Sequence, residues 1–159
     1  MTRVSPTDAR RAISADWLAN RRAYKTRIIL LSLRVTQLFM GDTANPRRIS
    51  YPFVAFHRFL SEWVFSMEIR PTTTIGPGLA FHHGFGIVVN PQAVVGANVT
   101  LRNGVVIGNK VAGGPCPIIE DGVEFGANAV VIGGIRIGQG AVVGAAAPVV
   151  PDVGPHPRR

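Results

Sequence analysis

The sequence predicts a mostly β fold, a parallel β-helix behind a short α-helical segment, and three observations carry that prediction. Ile119, Phe125, Val131, Ile137, Val143 and Val149 fall six residues apart. Four places after each of the first five stands another small or apolar residue: Val123, Ala129, Ile135, Ala141 and Ala147. The residue following the apolar position is often glycine, as at Gly76, Gly96, Gly108, Gly126, Gly138 and Gly144. A period of six is too short for a repeated helical hairpin, but it fits one flat side of a three-sided coil. Two inward side chains per side fill the prism. Glycines and small polar residues take the corners, where the backbone adopts dihedrals that a Cβ penalises, and stacked coils pair their backbone groups with one another.

Upstream the same phase runs through Val95, Leu101 and Ile107, pauses at 109–117, and after one shift of two residues reaches Ile87, Phe81, Ile75 and Ile69. The expected division is therefore a basic helical segment at 1–67, a β-helix at 68–153 and a short tail at 154–159. Ser14 or Asp16 is expected to cap a helix running to Met40, with Ile28, Leu31, Val35, Leu38 and Phe39 at helical spacing. Gly41 to Pro46 breaks that run. A second helix, Pro52 to Met67, carries Phe53, Phe56, Leu60 and Val64. A repeat array needs its ends covered, and these helices are placed to cover one of them. The apolar stretch Ile28 to Leu33 lies between Arg27 and Arg34 and is far short of the roughly 20 residues that span a bilayer.

A chain of 159 residues has room for one core and a small appendage. Its single cysteine excludes an intrachain disulfide, and no leader-like pattern of charged start and apolar middle stands out, so a reducing cytoplasmic setting is expected. The net charge of +8 belongs to the helical part: residues 1–70 hold 12 Lys/Arg against 5 Asp/Glu. A solvated cationic face around a cap or an oligomer contact accounts for this charge. A weak peripheral membrane contact through Arg21, Arg22, Lys25 and Arg27 is the alternative. Nucleic acid is not expected as a partner, because no aromatic-basic stacking motif or finger spacing accompanies the charge.

Histidines stand at 57, 82, 83 and 156. His82 and His83 sit together where the repeat turns a corner, inside the run Gly78 to Val89. A corner projects away from the prism core, so at least one imidazole there faces solvent or a subunit boundary, where it can serve as a general base near neutral pH. The plain alternative is a surface histidine in a turn. Glu68 precedes His83 by 15 residues, close to one 18-residue coil, which brings its carboxylate within reach of the imidazole to orient it and stabilise its charged form. The alternative is that Glu68 ends the second helix in solvent. No metal site is expected: no two histidines are spaced three to five apart and Cys116 has no second cysteine near it. Walker loops, dinucleotide fingerprints and Gly-x-Ser-x-Gly elbows are likewise missing.

With this repeat and this corner, the chain resembles the hexapeptide-repeat acyltransferases of the serine acetyltransferase-like group, nearest the colanic acid biosynthesis O-acetyltransferases. The resemblance runs from Asp16-Trp17-Leu18-Ala19-Asn20 to Val153. It is most specific in Glu68-Ile69-Arg70-Pro71, Thr74-Ile75-Gly76, His82-His83-Gly84, Val105-Val106-Ile107-Gly108-Asn109 and Val123-Glu124-Phe125-Gly126-Ala127-Asn128. It implies a left-handed parallel β-helix, a homotrimer with active sites in clefts between subunits, and acetyl-CoA as donor. It also implies His83 as the catalytic base, with Glu68 in the place of a partner aspartate. The backbone of small-residue corners, matched here by Gly108, Ala127 and Ala145, is implied to contact CoA.

Acceptor choice is where the chain departs from the serine enzymes. Their Arg-His pair before a proline corresponds here to Pro115-Cys116, and their aspartate before the catalytic histidine to His82. The α-carboxylate of serine loses its bidentate partner and the ammonium meets an imidazole, whereas a sugar hydroxyl needs no such clamp. The expected function is O-acetylation of a sugar in exopolysaccharide or surface-glycan synthesis, with His82, Cys116 and the segment 109–117 on the acceptor side. Serine O-acetylation in cysteine biosynthesis is the alternative. Relatives of this kind continue into a Gly-x-Pro-Ala-Arg segment that closes over CoA, while this sequence ends at Gly154-Pro155-His156-Pro157-Arg158-Arg159; a non-catalytic β-helix is a further alternative on that ground.

Overall fold

The computed structural model describes residues 5–41 and 47–155. Two helices come first, α1 (Pro6–Ala19) and α2 (Tyr24–Met40). A single 3₁₀ turn, Arg48–Ser50, leads into α3 (Tyr51–Arg58), which continues as a π-helical turn over Phe59–Val64. Thirteen short strands, β1–β13, follow among the described residues. His156 and the rest of the tail, like most of the Gly41 to Pro46 break, lie outside the described residues.

The strands form three parallel sheets, one per side of a prism. Side A stacks β1 (Glu68–Ile69), β4 (Val88–Val89), β7 (Val106–Gly108), β10 (Val130–Ile132) and β13 (Pro148–Val149). Side B stacks β2 (Thr74–Ile75), β5 (Val94–Val95), β8 (Ile118–Ile119) and β11 (Arg136–Ile137). Side C stacks β3 (Ala80–His82), β6 (Thr100–Arg102), β9 (Glu124–Phe125) and β12 (Val142–Val143). The chain visits A, B and C in turn, which is the coil predicted from the period of six. Both inward positions fill the core: Leu101, Val105, Ile107, Val123, Ala129, Val131 and Ile137 have no exposed surface at all. Each buried Val, Ile or Leu contributes roughly 1.5–3 kcal/mol relative to exposure.

Register corrects one detail of the sequence reading. Val89, not Ile87, is the partner of Ile69 and Ile107. Ile87 is fully buried, but as the other inward residue of its side. The two extra residues therefore fall inside His82-His83-Gly84-Phe85-Gly86, at the edge where side C turns into side A. The pause at 109–117 is a second insertion, at the edge where side A turns into side B, and it leaves the phase intact because it lengthens that coil by one whole side.

The helices also differ from expectation. The predicted single helix to Met40 is two helices, and its cap is neither Ser14 nor Asp16: Ser5 caps α1, its hydroxyl accepting from the Asp8 amide. The buried face of α2 is not the predicted stripe. Ile28, Leu31 and Phe39 are exposed, while Ile29, Leu30, Leu33, Arg34, Gln37 and Met40 are buried. In the second run Phe56 and Val64 are exposed, and His57 and Ser61 are buried.

The reason is the surface that these helices cover. The first coil ends the β-helix, so its amides and carbonyls have no neighbouring coil to pair with, and an open sheet edge must be covered. Polar side chains from the helices replace the missing coil. Asp16 Oδ1 accepts from the amides of Gly78 (2.8 Å) and Leu79 (2.9 Å). Asn20 accepts from the Phe81 amide and donates to the Leu79 carbonyl. Arg34 donates to the carbonyls of Ile75 and Gly76, and its Nε lies 2.9 Å from Asp16 Oδ2. Gln37 Nε2 donates to Pro71 and Thr73, and His57 Nε2 donates to the Ile69 carbonyl at 2.9 Å. No helix among the described residues is long and apolar enough to cross a membrane.

Candidate active site

The edge joining side C to side A is a column of left-handed backbone. Ser66, Gly86, Gly104, Asn128 and Ala146 occupy equivalent corners with φ between 51° and 69°. The Gly86 amide donates to the Ser66 carbonyl and the Ala146 amide to that of Ala127, so successive corners stack. The two-residue insertion bulges out of this column. His83 itself takes φ 55°, unusual for a residue with a Cβ, and both His82 and His83 are exposed.

The bulge faces the helices across a groove of about 1180 Å³. One wall is the α1–α2 turn with Arg21, Arg22, Tyr24 and Lys25; the other holds Val64, Phe65, Phe81, His82, His83 and Phe85. An imidazole at the rim of a groove can take a proton from a hydroxyl bound there. Glu68 begins β1 at the same edge, one coil below the strand that follows His83. Its carboxylate here meets Arg70 at 3.2 Å, and both partners are substantially exposed. Such an exposed pair holds the side chain by at most about 1 kcal/mol.

The remaining residues singled out in the sequence divide between two edges of the prism. Ala127 and Ala145 belong to the His83 column, two and three coils further along, roughly 10 and 15 Å away at about 4.8 Å per coil. Gly108 and Cys116 belong to the edge joining side A to side B, where Pro115 packs against Gly134. One prism side, about six extended residues or roughly 20 Å, separates the two groups. Within one chain the structure thus sets His82, His83, Ala127 and Ala145 along one edge and Gly108 and Cys116 along another, and pairs the Glu68 carboxylate with Arg70 instead of His83. Burial raises the pKa of the half-buried Cys116 thiol.

The corners suit a ligand that touches backbone. A Cβ built on Gly108 or Gly144 meets no atom within 4 Å, so both glycines border open space that an extended molecule can enter. Among the described residues no three His, Cys, Asp or Glu side chains converge as metal ligands would.

No protein-family model matches the chain. Over 103 residues it is 40% identical to the Escherichia coli K12 colanic acid biosynthesis acetyltransferase WcaB, a name that protein bears provisionally; the match covers 64% of each chain. Serine acetyltransferase 4 of Arabidopsis thaliana is 40% identical over 95 residues, covering 58% of this chain and 27% of the plant protein. The soybean serine acetyltransferase apoenzyme superposes with a TM-score of 0.79 at 34% identity, over 94% of this chain and 64% of its own. These relatives are acetyltransferases by name, consistent with the hexapeptide-repeat acyltransferase pattern of the sequence. The fold is accordingly their left-handed parallel β-helix, here of about four turns behind a helical segment. This chain spans less than two thirds of the length of each of these relatives.

Two groups of residues take positions that sequence spacing does not signal. Arg21, Arg22 and Lys25, for which the charge pattern predicts a solvated or membrane-facing surface, line the groove of the histidines. Arg34 and Gln37 gave no signal beyond their place in an apolar run. A polar residue at the i, i+3 spacing of a buried face, here Arg34 with Gln37, is the mark that could have found them.

Proposed function

We propose that this chain is an acetyl-CoA-dependent O-acetyltransferase acting on a sugar hydroxyl in exopolysaccharide or surface-glycan synthesis. The observation that carries the acceptor class is the groove beside His83. It has three cationic side chains and no acidic one among its lining residues, and Glu68 is committed to the imidazole, so the ammonium of free serine finds no carboxylate of its own there. The similarity to WcaB supports the same class. Serine O-acetylation is the second reading, favoured by the resemblance to serine acetyltransferases in sequence and in fold.

Acetyl-CoA supplies the acetyl group as a thioester. His83 takes the proton of the acceptor hydroxyl as that oxygen bonds to the acetyl carbon, and returns it to the departing sulfur. Glu68 turns from the exposed Arg70 contact to the other imidazole nitrogen, fixing the tautomer and stabilising the imidazolium. Ala127 and Ala145 offer backbone along the His83 edge. Gly108 and Cys116, one prism side away, complete the cleft when the matching edge of a second copy packs against the first. This arrangement favours a homotrimer with the site between chains. The cytoplasm, where acetyl-CoA is made available, is the compartment that fits this donor.

The decisive experiment incubates wild type and His83→Ala with acetyl-CoA and an acceptor panel of L-serine, nucleotide sugars and oligosaccharides, following free thiol and product mass. His83-dependent transfer to a sugar is expected. Transfer to serine alone would move the protein to the second reading.

A further inference from the structure

The α1–α2 turn takes no part in the proton transfer described above, yet it forms one wall of the groove. Arg21, Arg22 and Lys25 are exposed and make no ion pair among the described residues, whose salt bridges lie at Asp16–Arg34, Glu62–Arg58, Glu68–Arg70 and Glu120–Arg136. The groove lining contains no Asp or Glu to neutralise them. A concave site lined by one sign of charge concentrates ligands of the other sign. Tyr24 and Phe85, 75% and 64% exposed, line the same groove and add aromatic surface that suits the apolar face of a sugar.

CoA is itself an anion, so the two substrates must be told apart. The corners assigned to CoA, Ala127 and Ala145, lie from His83 toward the carboxyl-terminal coils. The α1–α2 turn lies on the other side, against the first coil, where Asn20 is bonded to Leu79 and Phe81. The cationic wall therefore stands on the acceptor side of the base. Three cations exceed what one carboxylate neutralises, and they match a phosphate or diphosphate.

We propose that the acceptor is a saccharide carrying a phosphate or diphosphate group, and that Arg21, Arg22 and Lys25 bind this group while His83 reaches a sugar hydroxyl. This specificity rests on the sugar acetylation proposed above. A diphosphate-linked sugar is a product of activation or glycosyl transfer, so the reaction would follow such a step and precede removal of the phosphate.

The test begins with the full chain saturated with CoA, titrated with UDP, inorganic pyrophosphate, glucuronic acid and methyl glucoside. UDP and pyrophosphate are expected to bind, at least about tenfold more tightly than the other two, and to weaken steeply between about 50 and 300 mM salt. The Arg21→Ala/Arg22→Ala/Lys25→Ala variant is expected to lose at least about tenfold in that affinity. Arg21→Lys/Arg22→Lys, which keeps the charge, should keep most of it, which separates charge from folding. In turnover, a sugar phosphate should have a lower KM than the methyl glycoside of the same sugar, and the ratio should fall toward one in the alanine variant.

Loss of UDP and pyrophosphate binding when CoA is present would assign the groove to the donor and overturn the proposal. Equal binding by wild type and the alanine variant would also overturn it. Equal transfer to phosphorylated and neutral forms of one sugar would remove the phosphate specificity and leave sugar acetylation standing. Transfer to serine alone would remove both.

Discussion

His83 and the corner that bears it combine two demands on one residue. A general base contributes about 10² to 10⁴ in rate, so His83→Ala is expected to lower kcat by at least about a hundredfold with little change in far-ultraviolet dichroism. An unchanged kcat would assign the imidazole to mere surface. The corner column makes a second, purely structural prediction. Gly104 has φ +69°, and a Cβ there would overlap the side-chain amide of Asn128 on the next coil. Gly104→Ala is expected to destabilise by roughly 1–3 kcal/mol in denaturant titrations. Ala146, at the equivalent corner with φ 55°, bears a Cβ in the left-handed region, and Ala146→Gly should stabilise by about 0.5–1 kcal/mol. A change of the opposite sign in either variant would show that these corners are not limited by backbone conformation.

At the scale of elements, the helices act as a substitute coil, and their inward polar residues carry the fold's most exposed weakness. Arg34 and Asp16 are about 5% exposed and bonded both to each other and to the first coil. Arg34→Met leaves Asp16 buried without its cation and is expected to destabilise by about 3–5 kcal/mol. An unchanged unfolding midpoint would refute this role. His57 makes the cap sensitive to acid. Burial lowers its pKa below the ordinary 6.5, so the unfolded chain binds the proton more readily than the folded one. Stability from this group is complete above about pH 6.5 and is lost as the pH falls below that value. Melting temperature between about pH 7.5 and 5 should therefore fall less in His57→Gln than in wild type, and parallel curves would exclude His57 as the cause.

For the whole molecule, the apolar surface left outside the core bears on assembly. Phe56, Phe59 and Trp63 are 58–80% exposed on α3 and its π-helical turn, and Val88, Val94, Ile118 and Val142 face outward from the sheets. Together with the division of the site between two prism edges, this leads us to expect a trimer by sedimentation, with acetyl transfer lost on dilution to monomer. A fully active monomer would show that one edge suffices.

The period of six determined the β-helix from sequence alone, because each side repeats the same inward, outward and corner positions and a hydrophobic side chain can serve the inward ones whatever its neighbours. The same regularity exposed a two-residue shift, since an insertion shows only against a strict count, but it kept Ile87 in phase with Phe81, and only the sheet register moved the insertion to His82-His83. The helices could not be read this way: their buried faces cover unpaired amides and carbonyls, so Asp16, Asn20, Arg34, Gln37 and His57 point inward and the apolar stripe of α2 points partly out. Which cations line the groove, and which edge each site residue occupies, was likewise decided by tertiary structure. Both depend on distances between chain segments some 60 residues apart, and hydrophobic spacing along the chain records only which side faces in.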